Sequence, residues 1–204
     1  MGKGIIRTII FSLCFLLLSC AGAQAVHSEV STFFTAIADR SVEIFVFDGF
    51  KLSPIIRAAD VTTEKTPVTE GNYFVLYFVK DGSIPGVRVL KAGRKNIELG
   101  EIKLGGKIND DKGLITGAVY KTISGGKISY KKGILILFRE VIVRAVGENG
   151  ETYLTKSAEN GVFSIILSPG KYKIFVNDSE GIDVMIKIGK TTVQNLPQGA
   201  MLID

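Results

Sequence analysis

The sequence is poor in the residues that disulfide-bonded secreted folds and many enzyme sites use. Its 204 residues include two cysteines, one histidine and no tryptophan. Both cysteines, Cys14 and Cys20, lie within or beside an N-terminal apolar run. The rest of the chain therefore forms no disulfide, and its fold depends on a hydrophobic core.

The shortage of histidine argues against a catalytic centre. The single histidine, His27, stands near the N-terminus, where chain ends are usually solvated. A catalytic zinc site needs three protein ligands, usually including histidines, and a nucleophilic triad needs a positioned base. We predict no catalytic, cofactor-binding or metal-binding residues, and a protein that is not an enzyme.

Acidic residues are present, but their surroundings indicate turns. Pairs of carboxylates serve glycoside hydrolases, and five candidates stand mostly beside glycine or asparagine: Glu140, Glu148, Glu151, Glu159 and Asp178. The oxygen-rich segments 109–111 and 177–180 lack the spacing of an EF-hand calcium loop. Turn formation is the favoured interpretation for all of them.

The N-terminus has the order of a secretory signal peptide. Lys3 and Arg7 precede an apolar run over residues 9–18, and small residues follow at once. The run is shorter than the roughly 20 residues of a membrane-spanning helix. We therefore assign residues 1–25 to an export signal, whose removal lowers the formal net charge from +5 to +3 because both of its basic residues are lost.

Two cleavage routes remain open. Ala23-Gln24-Ala25 is an A-x-A site that would leave a mature chain beginning at Val26. The segment ending in Ser19-Cys20 instead resembles a bacterial lipobox, in which Cys20 would be acylated and the chain sorted to the outer membrane. The expected location is thus an outer-membrane lipoprotein or a periplasmic or secreted protein, with membrane contact only through a lipid anchor.

The remaining sequence alternates between apolar and polar residues with a period of two. Short segments rich in β-branched and aromatic residues recur between Gly, Asn and Asp turns, which predicts an all-β fold of sandwich type. The segment from Glu29 to Arg40 is the one stretch with helical potential, without a strong amphipathic repeat. Two segments are apolar on both faces, Tyr73–Phe78 and Ile134–Phe138. We interpret the first as a central core strand and the second as an extra strand, with binding surfaces as the alternative.

The two halves of the chain look like a diverged repeat. Gly71-Asn-Tyr73 aligns with Gly170-Lys-Tyr172, and Leu90–Arg94 aligns with Ile186–Lys190. A repeat of about 100 residues indicates tandem domains rather than a solenoid. We predict a diverged β-sandwich domain over 27–104, a glycine-rich linker over 105–112 and a second β-sandwich domain over 113–204, with one larger sandwich as the alternative.

Five short motifs in the second half carry a family resemblance. They are an opening strand containing Gly117, the strand Val141–Val143, the turn and strand with Asn160, Gly161 and Phe163, the turn with Pro169, Gly170 and Tyr172, and a closing segment Gly189–Val193. In this order they resemble the carboxypeptidase regulatory-like domain, a transthyretin-like, Greek-key sandwich related to Cna-B repeats. The resemblance implies the fold and says little about function. Cna-B relatives can contain a Lys–Asn isopeptide bond, but no motif places one in this chain.

The hairpin of the second half can be interpreted without the resemblance. Phe163, Ile165 and Leu167 alternate toward one face, as do Tyr172, Ile174 and Val176 on the next strand, so Lys171 and Lys173 point outward. Pro169 and Gly170 suit the two central positions of a type II turn. We predict that this hairpin is core structure.

The mild charge and the absence of a basic run argue against nucleic-acid binding. Our leading hypothesis is a non-enzymatic envelope module that binds or scaffolds another protein of the envelope or extracellular space. The alternative is a carbohydrate-binding module, in which Tyr120, Tyr130 and Tyr153 would replace the missing tryptophan.

Overall fold

The structure, a computed structural model, describes residues 30–38, 41–55, 61–68, 71–93, 96–125 and 133–203. The predicted signal peptide, Cys20, His27 and Tyr130 lie outside these residues. The described residues form strands and turns without a helix, so the all-β prediction is confirmed. Accordingly, no helix long and apolar enough to cross a membrane occurs in this part of the chain.

The described residues of the first half form seven strands: β1 (Val30–Ile37), β2 (Glu43–Phe47), β3 (Leu52–Ile55), β4 (Val61–Val68), β5 (Tyr73–Val79), β6 (Gly86–Lys91) and β7 (Asn96–Glu101). The helical potential assigned to residues 29–40 was wrong, because β1 occupies this segment and pairs with both β4 and β7. Four β-branched residues and two phenylalanines within Val30–Ile37 favour a strand once these partners are present.

In the second half, the part of the chain that the structure describes forms nine strands: β8 (Gly113–Gly125), β9 (Gly133–Leu137), β10 (Ile142–Gly147), β11 (Thr152–Lys156), β12 (Val162–Leu167), β13 (Gly170–Val176), β14 (Ile182–Ile186), β15 (Thr191–Val193) and β16 (Leu196–Ile203). The extra strand predicted over residues 134–138 is present as β9. It pairs with β8 and, through Ile134, with Tyr73 of β5.

The two halves share one pattern of strand pairing. In the first half β1 pairs antiparallel with β4 and parallel with β7, and a second sheet has the order β3-β2-β5-β6. In the second half β8 pairs antiparallel with β12 and parallel with β15, and the other sheet has the order β11-β10-β13-β14. This correspondence of seven strands supports the repeat inferred from the sequence; the domain boundaries themselves stay a prediction.

Three apolar clusters are formed by the residues that the structure describes. One is built from the first half and includes Phe74, Leu76 and Phe78, and one is built from the second half around Phe163 and Ile174. The third joins the halves. It combines residues of β2 and β5 with residues of β8 and β9: Phe47, Val75, Tyr77, Val79, Ala118, Tyr120 and Ile134.

Strand β5 is apolar on both faces because it separates two of these clusters. Its even-numbered residues face the core of the first half, and Val75, Tyr77 and Val79 face the cluster shared with the second half. The prediction that residues 73–78 form a central core strand is confirmed, since Phe74 to Phe78 are all fully buried.

The predicted linker runs along the junction between the halves. Within it, the Ile108 amide donates to the Gly82 carbonyl, and the Gly189 amide donates to the Lys112 carbonyl. Lys107 forms an isolated bridge with Ser83. These backbone hydrogen bonds tie the segment to turns of both halves, so it is an ordered part of the fold.

Candidate binding face of the C-terminal sheet

The sheet β11-β10-β13-β14 presents one face to the core and one to solvent. Alternation along each strand decides the orientation: Val143, Ala145, Tyr172 and Ile174 are buried, and their sequence neighbours point outward. We call the outward-pointing set the outer face. Its members are Thr152, Leu154 and Lys156 of β11, Ile142, Arg144 and Val146 of β10, Lys171, Lys173 and Phe175 of β13, and Asp183 and Met185 of β14.

Large apolar side chains are exposed on the outer face. Leu154 is 67% exposed, Ile142 48% and Met185 45%. Phe175 is half-buried, with the Arg144 guanidinium 4.8 Å from its ring centroid, within the range of a cation–π interaction. Single exposed apolar residues are common on protein surfaces, but several on one face make that face a candidate binding surface.

A groove crosses the outer face at strands β10, β13 and β14. It encloses about 630 Å³, and its lining includes Val146, Phe175 and Met185 together with the stems of Lys171 and Lys173. Each lysine has an acidic neighbour at the groove.

The Lys171 ammonium lies 3.3 Å from Glu148, and the Lys173 ammonium lies 4.0 Å from Asp183. All four side chains are largely exposed, so these pairs add little to folding stability. They place both signs of charge around an apolar floor, an arrangement suited to an amphipathic partner surface.

A second depression lies at the other end of the outer face. It encloses about 610 Å³ and is lined by Ile142, Arg144, Leu154, Asn177 and Asp178. Asn177 adopts a positive φ of 48° in the turn after β13, and the Ser179 hydroxyl accepts a hydrogen bond from the Val176 amide in the same turn. The segment 177–180, considered above for calcium, is thus a turn held by its own side chains.

The motif residues of the second half form the scaffold beneath this face. Phe163 is buried in the core, and its carbonyl accepts a hydrogen bond from the Thr116 hydroxyl. A side chain at Gly117 would clash with the Gln194 carbonyl, so only glycine lets the chain after β15 approach β8 so closely. The Asn160 side chain accepts from the Val162 amide, an Asx turn that starts β12.

The turn into β13 differs from the predicted geometry. Gly170 has a positive φ, but its value of 151° is far from the value of about 80° that a type II turn requires. Pro169 is exposed, and Tyr172 closes the turn by donating its hydroxyl to the Ser168 carbonyl at 3.0 Å. The outward orientation predicted for Lys171 and Lys173 is confirmed.

Acidic residues considered for catalysis are dispersed over turns and strand ends. Glu148 pairs with Lys171, and Glu151 accepts a hydrogen bond from the Tyr153 hydroxyl at 2.8 Å. This bond lowers the pKa of Glu151 and raises that of Tyr153. Within the described ranges no three residues of the types His, Cys, Asp and Glu cluster in a way that would hold a metal ion.

The tyrosines proposed for sugar binding have structural contacts. Tyr120 is buried and packs edge-on against Phe47, with ring centroids 5.0 Å apart, so it forms no exposed platform. Tyr153 is half-buried and packs against Tyr172. The expectation that Tyr120 could stack on a sugar was therefore wrong, because the shared cluster between the halves covers its ring.

Sequence reasoning missed Ile142, Leu154 and Met185 as surface residues. A partial signal was available: Leu154 and Met185 are apolar at positions two residues from polar residues of their strands, and Ile142 lies two residues from Arg144. The sequence did not decide which positions of these strands point outward, because β10 and β14 carry apolar residues on both faces. Only the structure shows which face packs on the core.

No protein family and no curated protein matches the chain. Among solved structures, it is similar to the minor pilin GBS52 of Streptococcus agalactiae, at 10% identity and a TM-score of 0.32, covering 85% of this chain and 98% of the pilin. The shaft pilin SpaA of Lactobacillus rhamnosus GG follows at 8% identity and a TM-score of 0.27, covering 86% and 99%. The Bacillus anthracis TIE protein matches at 12% identity and a TM-score of 0.27 over 82% of this chain, which spans 34% of that protein. At such TM-scores these similarities carry no argument about function.

Proposed function

We propose that the chain is an exported, non-enzymatic module of the bacterial envelope that binds another protein through the outer face of its C-terminal sheet. The observation that carries this proposal is the groove on this face, whose apolar lining is bordered by two ion pairs. The signal-like N-terminus supports export, by cleavage before Val26 or by acylation of Cys20.

The partner is expected to contribute an apolar anchor to the groove. Binding energy concentrates where a large side chain enters a desolvated pocket, while rim charges mainly set orientation and association rate. Lys171, Lys173, Glu148 and Asp183 form such a rim, and Met185 offers an adaptable apolar wall.

Partner capture with matched variants tests the proposal. The wild-type chain is cross-linked in envelopes of its own bacterium, and the captured protein is then purified and titrated against Met185→Asp and Ile136→Asp. The two residues have similar exposure, 45% and 42%, but Ile136 lies on β9, away from the groove. We expect Met185→Asp to weaken binding by about tenfold or more and Ile136→Asp to leave it unchanged. Equal affinities for all three chains would contradict the assignment of this face.

A further inference from the structure

Strand β11 is an edge strand with free backbone groups on its outer side. Within the described residues it pairs only with β10. The Gly147 amide donates to the Glu151 carbonyl, and the Ser157 amide donates to the Val141 carbonyl. In an antiparallel ladder this fixes the odd-numbered residues of β11 as those bonded to β10. Thr152, Leu154 and Lys156 therefore direct their N–H and C=O groups away from the sheet.

Two other edge strands, β3 and β14, carry features that discourage pairing. Strand β3, which occupies the place of β11 in the first half, contains Pro54. On the opposite edge of the C-terminal sheet, the Thr192 hydroxyl donates to the Met185 carbonyl, and β14 carries the charged Asp183. Prolines, charges and side-chain caps are the usual devices against edge-to-edge association.

Strand β11 has few of these devices. Its sequence, Thr-Tyr-Leu-Thr-Lys, has a single charge at its end, contains no proline and shows no register shift against β10. The neighbouring strand β12, which begins after the turn that follows β11, has no charged residue. The side of the sandwich formed by these two strands is thus open and almost uncharged, and it carries Leu154, the most exposed of the large apolar side chains described.

We propose that β11 pairs antiparallel with β11 of a second copy of the chain, about a two-fold axis at Leu154. The even-numbered residues direct their backbone N–H and C=O groups away from β10. Leu154 therefore forms a hydrogen-bonded pair with Leu154 of the second copy, and Thr152 forms one with Lys156 of the second copy. This register makes about six backbone hydrogen bonds, two for each pair.

The register is compatible with the charges and side chains of the strand. Lys156 lies opposite a threonine rather than another lysine, and the two Leu154 side chains cover each other on the outer face. The interface is isologous, so it closes at a dimer and does not propagate into a filament. The second copy is favoured over an unrelated extended segment because the β11 sequence is complementary to itself in this register.

This pairing goes beyond the binding function proposed above and uses the β11 edge of the sheet, which does not line the groove. The groove at Met185 lies toward the opposite edge of the sheet, on β14, and stays open in the dimer. A dimer would present two such grooves, which raises the avidity for a repeated partner.

Sedimentation velocity of the mature chain, with variants, tests the inference. The wild type is expected to sediment as a dimer, Leu154→Lys as a monomer because two ammonium groups then face each other at the axis, and Met185→Lys as a dimer. Both positions are exposed in the single chain, so circular dichroism should give folded spectra for both variants. A monomeric wild type, or a Leu154→Lys variant that remains dimeric, would overturn the pairing.

Disulfide trapping tests the register independently of whether Leu154→Lys folds. Cα atoms of a hydrogen-bonded antiparallel pair lie about 5.5 Å apart, within disulfide range. Leu154→Cys should form a covalent dimer under mild oxidation, whereas Met185→Cys, the control for cross-linking through any retained natural cysteine, should not. Equal cross-linking of both variants would refute the register. A chain that stays monomeric yet binds its partner at the groove would refute the pairing and leave the proposed function standing.

Discussion

Phe163 illustrates how one residue connects the sequence pattern to the core. It lies on β12 with its ring 1% exposed, packed in the C-terminal cluster with Ile165, Tyr172 and Ile174. Its carbonyl also accepts a hydrogen bond from the Thr116 hydroxyl of β8. The residue thus joins the two sheets of the C-terminal sandwich through its ring and supports one of them through its backbone.

Replacing the Phe163 ring should strongly destabilise the folded chain. We expect Phe163→Ala to lower the free energy of unfolding by about 3–5 kcal/mol, because the ring loses its contacts and leaves a cavity. Ile166→Ala is the matched control on the same strand. Its side chain points outward and is 43% exposed, so the change should cost less than about 1 kcal/mol. Denaturant unfolding would measure the change in the free energy of unfolding for both variants. Similar changes would show that the assigned core face is wrong.

Tyr77 is the buried polar residue that links the two halves. Its hydroxyl donates to the Asn195 side-chain oxygen at 2.5 Å, and the same oxygen accepts from the Ala118 amide at 2.9 Å. Tyr77 belongs to β5, whereas the other two residues belong to the second half. Burial strongly raises the pKa of Tyr77 above its ordinary value of 10.0.

The raised pKa predicts a loss of stability at alkaline pH. The folded chain keeps the Tyr77 proton where the unfolded chain releases it, so the free energy of unfolding should fall as the pH rises above about 10. Tyr77→Phe should cost about 1–3 kcal/mol at neutral pH through the lost hydrogen bond, and should reduce the alkaline decline. The decline should not vanish, since burial also raises the pKa values of Tyr120 and Tyr172. Urea titrations at several pH values would test this, and identical alkaline slopes would refute the role of Tyr77.

At the scale of elements, the turn before β12 shows how glycine allows close packing. Gly161 has a φ of 78°, and a Cβ placed on it would lie 2.7 Å from the Leu137 Cβ of β9. Gly150, in the turn between β10 and β11, has a similar φ of 83° with nothing within 4 Å of its built Cβ. An alanine at Gly150 would therefore meet backbone strain alone, whereas an alanine at Gly161 would meet both backbone strain and a steric clash.

Alanine at these two turns should have different effects. Both changes carry a backbone cost of about 1–2 kcal/mol for a left-handed residue. Gly161→Ala should cost roughly 1–3 kcal/mol more, because the new methyl group must displace β9. Thermal unfolding of the two variants would provide the comparison, and equal melting temperatures would mean that β9 does not pack on this turn.

Sequence reasoning recovered strands with a clear period of two and also the continuous apolar runs of β5 and β9. Strands β12 and β13 alternate without interruption, and their faces were predicted correctly. Strand β4, with Glu64, Lys65 and Pro67, and strand β16, with Pro197 and Gly199, were missed because their polar residues and breakers hide the pattern. Their strand character comes from long-range pairing with β1 and β8, which no local window of sequence contains.

The candidate binding face was predictable only in part. The outward lysines of β13 follow from the hairpin pattern, but the groove requires β10 and β14 beside them, and strand order is a property of the fold. In the same way, the two-sided β5 was recognised as buried, whereas the shared cluster that buries its second face appears only when β8 and β9 are in place.

At the scale of the whole molecule, two similar seven-stranded units are joined through buried contacts. The shared apolar cluster, the Tyr77 hydrogen bond and the backbone bonds of residues 105–112 all lie at the junction. An extra strand, β9, extends one sheet from the second unit into the first. We infer that the junction holds the outer face of the C-terminal sheet in a fixed orientation relative to the N-terminal unit.

The proposed binding role requires the chain to act outside the cytoplasm. The most direct test is the intact mass of the protein recovered from fractionated cells of its own bacterium. We predict a chain that begins at Val26 in the soluble envelope or secreted fraction, or an acylated chain that begins at Cys20 in the membrane fraction. Recovery of all 204 residues from Met1 in the cytosol would contradict the proposed role as an exported binding module.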